Sequence, residues 1–476
     1  MGKDPAESKK KSSATKIVCT MGPASETGET IKKLILNGMS VARINFSHGD
    51  HATHKKVIGI IRKESEALDK PVAILGDLSG PKIRMGILKE PVPLKKGQDI
   101  TISVKKGEDA GLFSDFSKLP SLVKKGDRIL IDDGLIELRV LETKKSLIKC
   151  RVKVSGIVKS RKGINLPDTE ISFPVFTEKD RKDLLFGIGQ NIDLIAMSFV
   201  DSPSNIIPVK KILKKFSKQI PVIAKIERPQ ALKKIDDIIN AFDGIMIARG
   251  DLGVEVNPEE VPLIQKTLLI KAGRHNRMVI TATQMLESMI SNPRPTRAEA
   301  SDVSNAILGG SDAVMLSGET AVGEYPVNTV NMMRKIAVST ENSEFYNYAL
   351  EKEDYTLDPT EAIVKGAAEM AFDLNVKSIM LFSFSGSTAL LLSKYRPPCP
   401  VYAFTPNRDV LNRMSGYWGV FPQLLDFSSQ TDEMIIKGEK VLLKKGCVKK
   451  GDLLLTVAGE TPMKGATNML KLLKVP

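Results

Sequence analysis

One lysine and two carboxylates stand at the ends of two short apolar runs. Pro221-Val-Ile-Ala-Lys-Ile-Glu227 carries Lys225 and Glu227, and Gly244-Ile-Met-Ile-Ala-Arg-Gly-Asp251 finishes on Asp251. Flanking Pro or Gly and β-branched content mark both runs as buried strands. An ammonium and two carboxylates at neighbouring strand ends are expensive to bury unless something pairs them. A divalent cation and an anionic substrate would do so. Glu227 and Asp251 offer hard oxygen ligands, too few for a full cage, which suits Mg²⁺ (or Mn²⁺) shared with substrate oxygens. Lys225 then faces a phosphate or carboxylate. The plainer alternative is a structural Lys–Glu ion pair at a barrel rim.

Eight strand-like segments are needed to carry these groups and their neighbours. They are Lys16–Thr20, Val41–Asn45, Val72–Asp77, Asp193–Phe199, Pro221–Glu227, Gly244–Ala248, Met278–Thr283 and Asp312–Ser317. Helical patterns lie between most of them. Asn257-Pro258-Glu259-Glu260 reads as an Asn cap before an N1 proline. Thr296-Arg-Ala-Glu299 reads as a capping box. The expected fold is an α/β chain built on a (β/α)₈ TIM barrel. Residues 14–82 and 168–340 supply the barrel. Between them, residues 83–167 show short β-like runs (Asp99–Val104, Arg128–Ile131, Leu135–Leu141, Leu147–Val154) with Gly-containing turns, read as an inserted small β-barrel lid. Residues 341–476 read as an open α/β domain, with helix Pro359–Asp373 and strands Ser378–Phe384, Val401–Phe404 and Asp452–Val457. Residues 1–13 read as a disordered basic tail.

Barrel enzymes of this kind build their sites where strands meet the loops at the C-terminal face. Strand 2 delivers Arg43, Asn45, Ser47 and His48 there. Strand 3 delivers Asp77, followed by Ser79-Gly80-Pro81-Lys82-Ile83-Arg84. Strand 4 ends on Ser198, strand 6 on Arg249-Gly250-Asp251, strand 7 on Thr283-Gln284 and strand 8 on Ser317-Gly318-Glu319-Thr320. So many polar ends on one face are hard to explain as stability alone. The chemistry they suit is phosphoryl transfer. Arg43 and Arg84 can grip phosphate oxygens bidentately, and Lys225 can meet equatorial oxygens in flight. No Walker loop or kinase glycine loop is present. His48, His51 and His54 have a ladder-like spacing, but no Cys or carboxylate is placed to complete a zinc site.

The chain has 476 residues, 42% hydrophobic and 26% charged, and a net charge of +14. This describes an ordinary globular chain with ample core. Its lysines sit in turns and on helix faces, and aromatics are only 5%, without the stacking ladder that nucleic-acid binding needs. A solvated basic surface suited to polyanionic small substrates is the better reading. No apolar run approaches a membrane span, and the N-terminus has no signal-peptide core. The four cysteines (Cys19, Cys150, Cys399, Cys447) are scattered, as for reduced thiols in a cytoplasm.

Several of these motifs closely resemble the pyruvate kinase family. They are Arg43-Ile-Asn-Phe-Ser-His-Gly49, Asp77 through Arg84, Lys162-Gly-Ile-Asn-Leu-Pro167, Ala224-Lys-Ile-Glu227, Met246-Ile-Ala-Arg-Gly-Asp-Leu-Gly-Val-Glu255, Ala282-Thr-Gln-Met-Leu-Glu-Ser-Met289 and Met315-Leu-Ser-Gly-Glu-Thr320. The resemblance runs from about Thr15 to the end. It implies Mg²⁺-dependent phosphoryl transfer from phosphoenolpyruvate to ADP, giving pyruvate and ATP in the last step of glycolysis. Glu227 and Asp251 would hold the Mg²⁺, and Lys225 would stabilise the phosphoryl group in transit. Gly250 and Asp251 N–H groups and the Thr283 hydroxyl would hold the substrate carboxylate, and Arg43 the transferring phosphate. Thr283 and Ser317 would order the water that protonates enolpyruvate. Arg84 and Lys162, with Asn45 and His48, would meet the nucleotide. The family is usually a cytoplasmic homotetramer. The alternative from another class of chemistry is a different Mg²⁺-dependent phosphoenolpyruvate or oxoacid barrel enzyme, a lyase or aldolase. A non-enzymatic RNA-binding protein is the third reading, against which the scattered lysines weigh.

Two details depart from the common family pattern. Thr-Lys-Gly-Pro-Glu is usual after the strand-3 Asp, where this chain has Leu78-Ser-Gly-Pro-Lys82, and an aromatic near the adenine is replaced by Thr53. In the family Asn45, Ser47, Asp77 and the carbonyl of residue 78 hold a monovalent cation. With Lys82 in place of Glu, the resemblance is to a K⁺-independent group; an ammonium with the size and charge of K⁺ can take its place, and the plainer alternative is a surface lysine at the lid hinge with K⁺ still bound. Finally, Ser383-Phe-Ser-Gly-Ser-Thr388 follows a strand and opens a helix, Ala389–Lys394. Hydroxyls, a glycine and free N–H groups there make a phosphate site, or simply a capped turn. By resemblance, Ser383, Ser385, Gly386, Ser387 and Thr388 would bind a phosphorylated metabolite effector, with the loop Gly459–Thr467 closing over it.

Overall fold

Eight parallel strands close into a barrel. In chain order they are Lys16–Thr20, Met39–Asn45, Ala73–Leu78, Leu194–Met197, Val222–Ile226, Gly244–Ala248, Met278–Ala282 and Ala313–Leu316, called strands 1 to 8 below. Strand 1 pairs with strand 8 from Lys16 opposite Ala313 to Cys19 opposite Leu316, which shuts the ring. The computed structural model describes residues 12–108, 110–169, 174–346, 358–428, 430–459 and 467–476, so most of the expected tail lies outside the described residues.

The strands are almost wholly buried because apolar side chains leave both faces. One set (Ile17, Ile74, Ile195, Val222, Ile245, Val279, Val314) packs outward against the helices. The other (Val41, Leu75, Ile223, Met246, Ile280, Met315) fills the barrel. Three aspartates just outside the strands at the N-terminal rim lock their neighbours. Asp193, Asp243 and Asp312 accept the backbone N–H of Ile74, Val222 and Val279 at 2.7, 2.9 and 2.7 Å. Asp193 was expected within strand 4; it caps the neighbouring strand instead. The Thr296 capping box forms as expected. Asn257 does not cap: its amide turns to Glu260, and a short 3₁₀ turn, Pro258–Glu260, precedes helix Val261–Arg274.

The segment between strands 3 and 4 is β-rich, as read. Its hydrogen bonds make a six-stranded sheet and a two-stranded ribbon, Val92–Leu94 with Gly156–Val158. Segment 83–86 bridges the two edge strands of the sheet, Ile164–Asn165 on one side and Leu112–Phe113 on the other, so the sheet curls into the small barrel that was expected. Its two connections to the barrel pair with each other: Met85 N–H donates to the Lys162 carbonyl at 2.8 Å and Ile164 N–H to that of Ile83 at 2.9 Å.

The C-terminal sheet has five strands, in the order Val420–Leu424, Val401–Thr405, Ser378–Phe382, Leu453–Gly459, Thr467–Lys474. Its first and last were not read from sequence. This domain also closes the floor of the barrel. The Met414–Tyr417 turn enters the same apolar cluster as the barrel lining. A Cβ on Gly416 would stand 3.5 Å from Met278 Cε and Val41 Cγ2. Around that floor, Lys394 and Arg396 both pair with Asp312, all fully buried.

Lys16 lies in the same layer, with Nζ 2.6 Å from the Val420 carbonyl and 4.5 Å from the Phe421 ring centre. Burial lowers its pKa to about 7, against a smaller upward pull from Glu341. A depressed lysine contributes stability that is fully present above its unfolded pKa and is lost as pH falls through the folded one. Lys16→Met therefore removes a burial cost on the order of a few kcal/mol at pH 6 and far less at pH 10. Melting temperatures of the two proteins across that range should diverge toward low pH; a constant offset would contradict this.

Candidate active site

At the opposite face, the barrel gathers the residues that the sequence singled out. Lys225 is central. Its ammonium lies 2.8 Å from Glu227 Oε1, 2.7 Å from the Ser198 hydroxyl and 3.5 Å from Asp77 Oδ1. Burial is the strongest influence on Lys225 and would lower its pKa. Asp77 and Glu227 together outweigh it and hold the group well above the usual lysine range. Asp77 also takes Arg43 Nε at 2.7 Å, and Arg43 Nη1 donates to the Thr20 hydroxyl at 2.9 Å. Arg43 and Lys225 thus flank one carboxylate, two cations facing the same space.

Glu227 spends its second oxygen on the Phe199 N–H at 2.7 Å. Phe199 reaches this position with φ +58. Burial pushes the Glu227 carboxyl up first; Lys225 pulls it down, and nearby Asp251 adds repulsion. The Asp251 side chain makes no hydrogen bond or ion pair among the described residues, and Asp77 Oδ1 has no hydrogen-bond donor there. Mutually repelling carboxylate oxygens with spare capacity fit a hard divalent cation, which Glu227 and Asp251 would hold.

Strands 6 and 7 meet through Thr283. Its hydroxyl accepts the Gly250 N–H at 2.7 Å and donates to the Ala282 carbonyl at 2.6 Å. Two of the three groups expected to hold a carboxylate therefore hold each other, and an anion must displace that bond. Thr283 and Gln284 both have left-handed φ, +69 and +54. Buried Arg249 stabilises this turn from behind, donating to both their carbonyls at 2.8 and 3.1 Å and pairing with Asp302. From strand 8, the Ser317 hydroxyl is buried without a partner among the described residues, while its N–H donates to Glu319 at 2.6 Å.

The nucleotide-side candidates form a looser ring. The Asn45 amide oxygen accepts the Ser47 N–H at 3.1 Å. The His48 pKa is lowered, by burial first and then by Arg84, Lys82, Arg43 and Lys179. Such a ring of cations suits a polyphosphate. Lys162 turns away from it, onto Asp132 at 2.7 Å. Lys82 is exposed beside Gly163 and pairs with no carboxylate among the described residues. His51 pairs with Asp183 and stacks on Phe186, and His54 bonds the His48 carbonyl, so the trio faces three ways.

Sequence reading missed Lys179. From the first turn of helix Glu178–Gly189, its ammonium ties the Phe46 carbonyl, the Ser79 hydroxyl and Asp183 together. It lies on a helix, whereas the polar residues that mark the site in the sequence follow strands. In the C-terminal domain, Gly386 has φ +81 and its N–H bonds the Ser383 hydroxyl at 3.0 Å; the Ser385 and Ser387 hydroxyls touch at 2.9 Å. Thr388 bonds Thr467 at 3.0 Å; residues 460–466 of the closing loop lie outside the described residues.

A closed (β/α)₈ barrel with a buried lysine–carboxylate cluster at its C-terminal face, beneath a β-rich insertion, is the build of a barrel enzyme that handles anionic substrates beside a metal ion. The family model "Pyruvate kinase, barrel domain" matches residues 12–330, and "Pyruvate kinase, alpha/beta domain" matches residues 361–473. The chain belongs to the pyruvate kinase family. The pyruvate kinase of Staphylococcus saprophyticus is 45% identical over 467 residues, covering 96% of this chain and 80% of the relative. That of Staphylococcus aureus (strain MRSA252) is 45% identical over 466 residues, with the same coverage.

Proposed function

We propose that this chain transfers the phosphoryl group of phosphoenolpyruvate to ADP, with Mg²⁺ held by Glu227 and Asp251. The observation that carries this reading is the Lys225 ammonium, buried between Asp77, Glu227 and Ser198 beside Arg43. When bound, Mg²⁺ supplies charge neutralisation between substrate oxygens. Arg43 binds the phosphate and Lys225 meets its charge as the bond to the enol oxygen breaks and a bond to the ADP oxygen forms. The enolate left behind takes a proton at carbon, from water ordered by Thr283 and the unpartnered Ser317 hydroxyl. Asn45, His48, Arg84 and Lys162 hold the nucleotide, the last two at the roots of a lid spanning 83–167. ATP formation from phosphoenolpyruvate and ADP, read in a coupled assay, tests the whole; no ATP in the presence of Mg²⁺ would refute it.

The metal assignment has its own test. Glu227→Gln keeps the acceptor for Phe199 but removes one anionic ligand. Binding of Mn²⁺ to the enzyme without substrates should weaken by at least the ~10–100-fold that losing an outer-shell partner costs. Unchanged binding in paramagnetic resonance would remove Glu227 from the site.

We also read the Ser383–Thr388 turn as an effector phosphate cradle, and the assembly as a tetramer. The left-handed Gly386 and the paired hydroxyls support the cradle. A panel of sugar phosphates and AMP should contain an activator. Ser385→Asp with Ser387→Asp should abolish that activation, because two carboxylates repel a phosphate. Activation that survives in the double variant would dismiss the cradle.

A further inference from the structure

Helix Arg249–Glu255 begins with the Gly250-Asp251 pair and ends on Glu255, which is only 7% exposed. Two parts of the β-rich insertion touch this last turn. Asn165, on the insertion's final strand Ile164–Asn165, donates from Nδ2 to Glu255 Oε1 at 3.2 Å. The turn at Asp132-Asp133-Gly134 approaches so closely that a Cβ on Gly134 would stand 3.5 Å from Val254 Cγ1. Asp132 of that turn is also the residue that holds Lys162.

Glu255 feels Arg228 as a favourable charge and Glu227 and Asp251 as unfavourable ones, and burial pushes its carboxyl up most of all. Arg228 stays more than an ion-pair distance away, over the Phe199 ring at 4.7 Å from its centre. The Asn165 amide is therefore the one side-chain donor that Glu255 has among the described residues. A buried carboxylate that loses its donor bears a desolvation cost. Swinging the insertion away would impose that cost, so the bond favours the docked position.

We propose that Asn165 and Glu255 form the latch through which the lid docks on the helix that carries Asp251, making both positioning residues for the nucleotide-bound state. The inference rests on reading the insertion as a nucleotide clamp and Asp251 as a metal ligand. A cation between Glu227 and Asp251 relieves their repulsion of Glu255 and strengthens the charge-assisted bond from Asn165. Docking of the lid and occupation of the metal site then support each other, as linkage requires.

Four proteins test it: wild type, Asn165→Ala, Asn165→Asp and Glu255→Gln. In initial-rate measurements, Asn165→Ala should raise the KM for ADP about tenfold, as for a lost hydrogen bond to a charged group, with a smaller fall in kcat. Asn165→Asp, nearly isosteric, should be worse, because it sets carboxylate against carboxylate. Glu255→Gln keeps the carbonyl acceptor but loses the charge, so its KM for ADP should fall between those of wild type and Asn165→Ala. Hydrogen exchange at residues 132–135 and 163–166 gives a second readout. MgADP should protect these amides in wild type and not in Asn165→Ala. Wild-type KM values and protection in both Asn165 variants would overturn the latch, as would an equal loss of kcat with unchanged KM values. A wild type that makes no ATP refutes the catalytic reading instead.

Discussion

Lys225→Met is expected to lower turnover by about two to three powers of ten while the KM for phosphoenolpyruvate changes little. Methionine matches the length of the lysine stem, so the apolar volume that this position of strand 5 fills is kept. What disappears is a charge fixed by three oxygen neighbours and unable to swing away. Such a charge is already oriented before the reaction and needs no reorganisation when negative charge spreads over the phosphoryl group in transit. Arg43 and the metal remain to bind the ground-state phosphate, which is why affinity should persist. Steady-state kinetics separate the cases. A variant with raised KM and normal kcat would show Lys225 to be a binding group only.

Activity without K⁺ is the second large effect. Wild type should work in buffer free of Na⁺ and K⁺ and gain little when K⁺ is added, whereas Lys82→Glu should become K⁺-dependent by at least about tenfold. The substitution changes local charge by two units. One unit charge about 4 Å from another is worth on the order of 4 kcal/mol at an effective dielectric of 20, so the expected factor is a modest claim. We propose Lys82 as the substitute ion. It is exposed, commits to no carboxylate among the described residues, and lies close enough to act on His48 in the cation ring. Asn45, Ser47, Asp77 and the Leu78 carbonyl keep the oxygens that an ammonium would meet. Wild-type activity that collapses without K⁺ would show that the lysine does not replace the ion.

The barrel was legible because each strand carries a short apolar run bounded by Gly, Pro or charge, and the active face because polar residues follow those runs at once. Lys225 and Glu227 needed only that logic. The connections among them did not show. Asp77 as the shared partner of Arg43 and Lys225 depends on strand 3 lying beside strand 2 and one strand away from strand 5, with all three ends at one height, and register is a property of the closed ring. Lys179 and Glu255 were hidden for another reason: each lies on a helix with ordinary helical spacing around it. Strand Val420–Leu424 escaped because Pro422 interrupts it, as happens on an edge strand. Strand Thr467–Lys474 escaped because its lysines look like a surface run, yet it pairs antiparallel with Leu453–Gly459 over most of its length.

The floor of the barrel is borrowed. Gly416 rests on Met278 and Val41, and Lys394 and Arg396 both pair with Asp312 at the strand 8 rim. The eight strands thus carry no bottom of their own, and the boundary between catalytic and C-terminal parts runs through a hydrophobic core rather than across a surface. Modular exchange is correspondingly constrained. A C-terminal domain taken from a relative must bring a glycine-sized turn and two matching cations, or the recipient barrel must be recut to receive it. The two parts are one packed unit, in which the C-terminal half has room to vary at its outer edge but not where it seals the barrel.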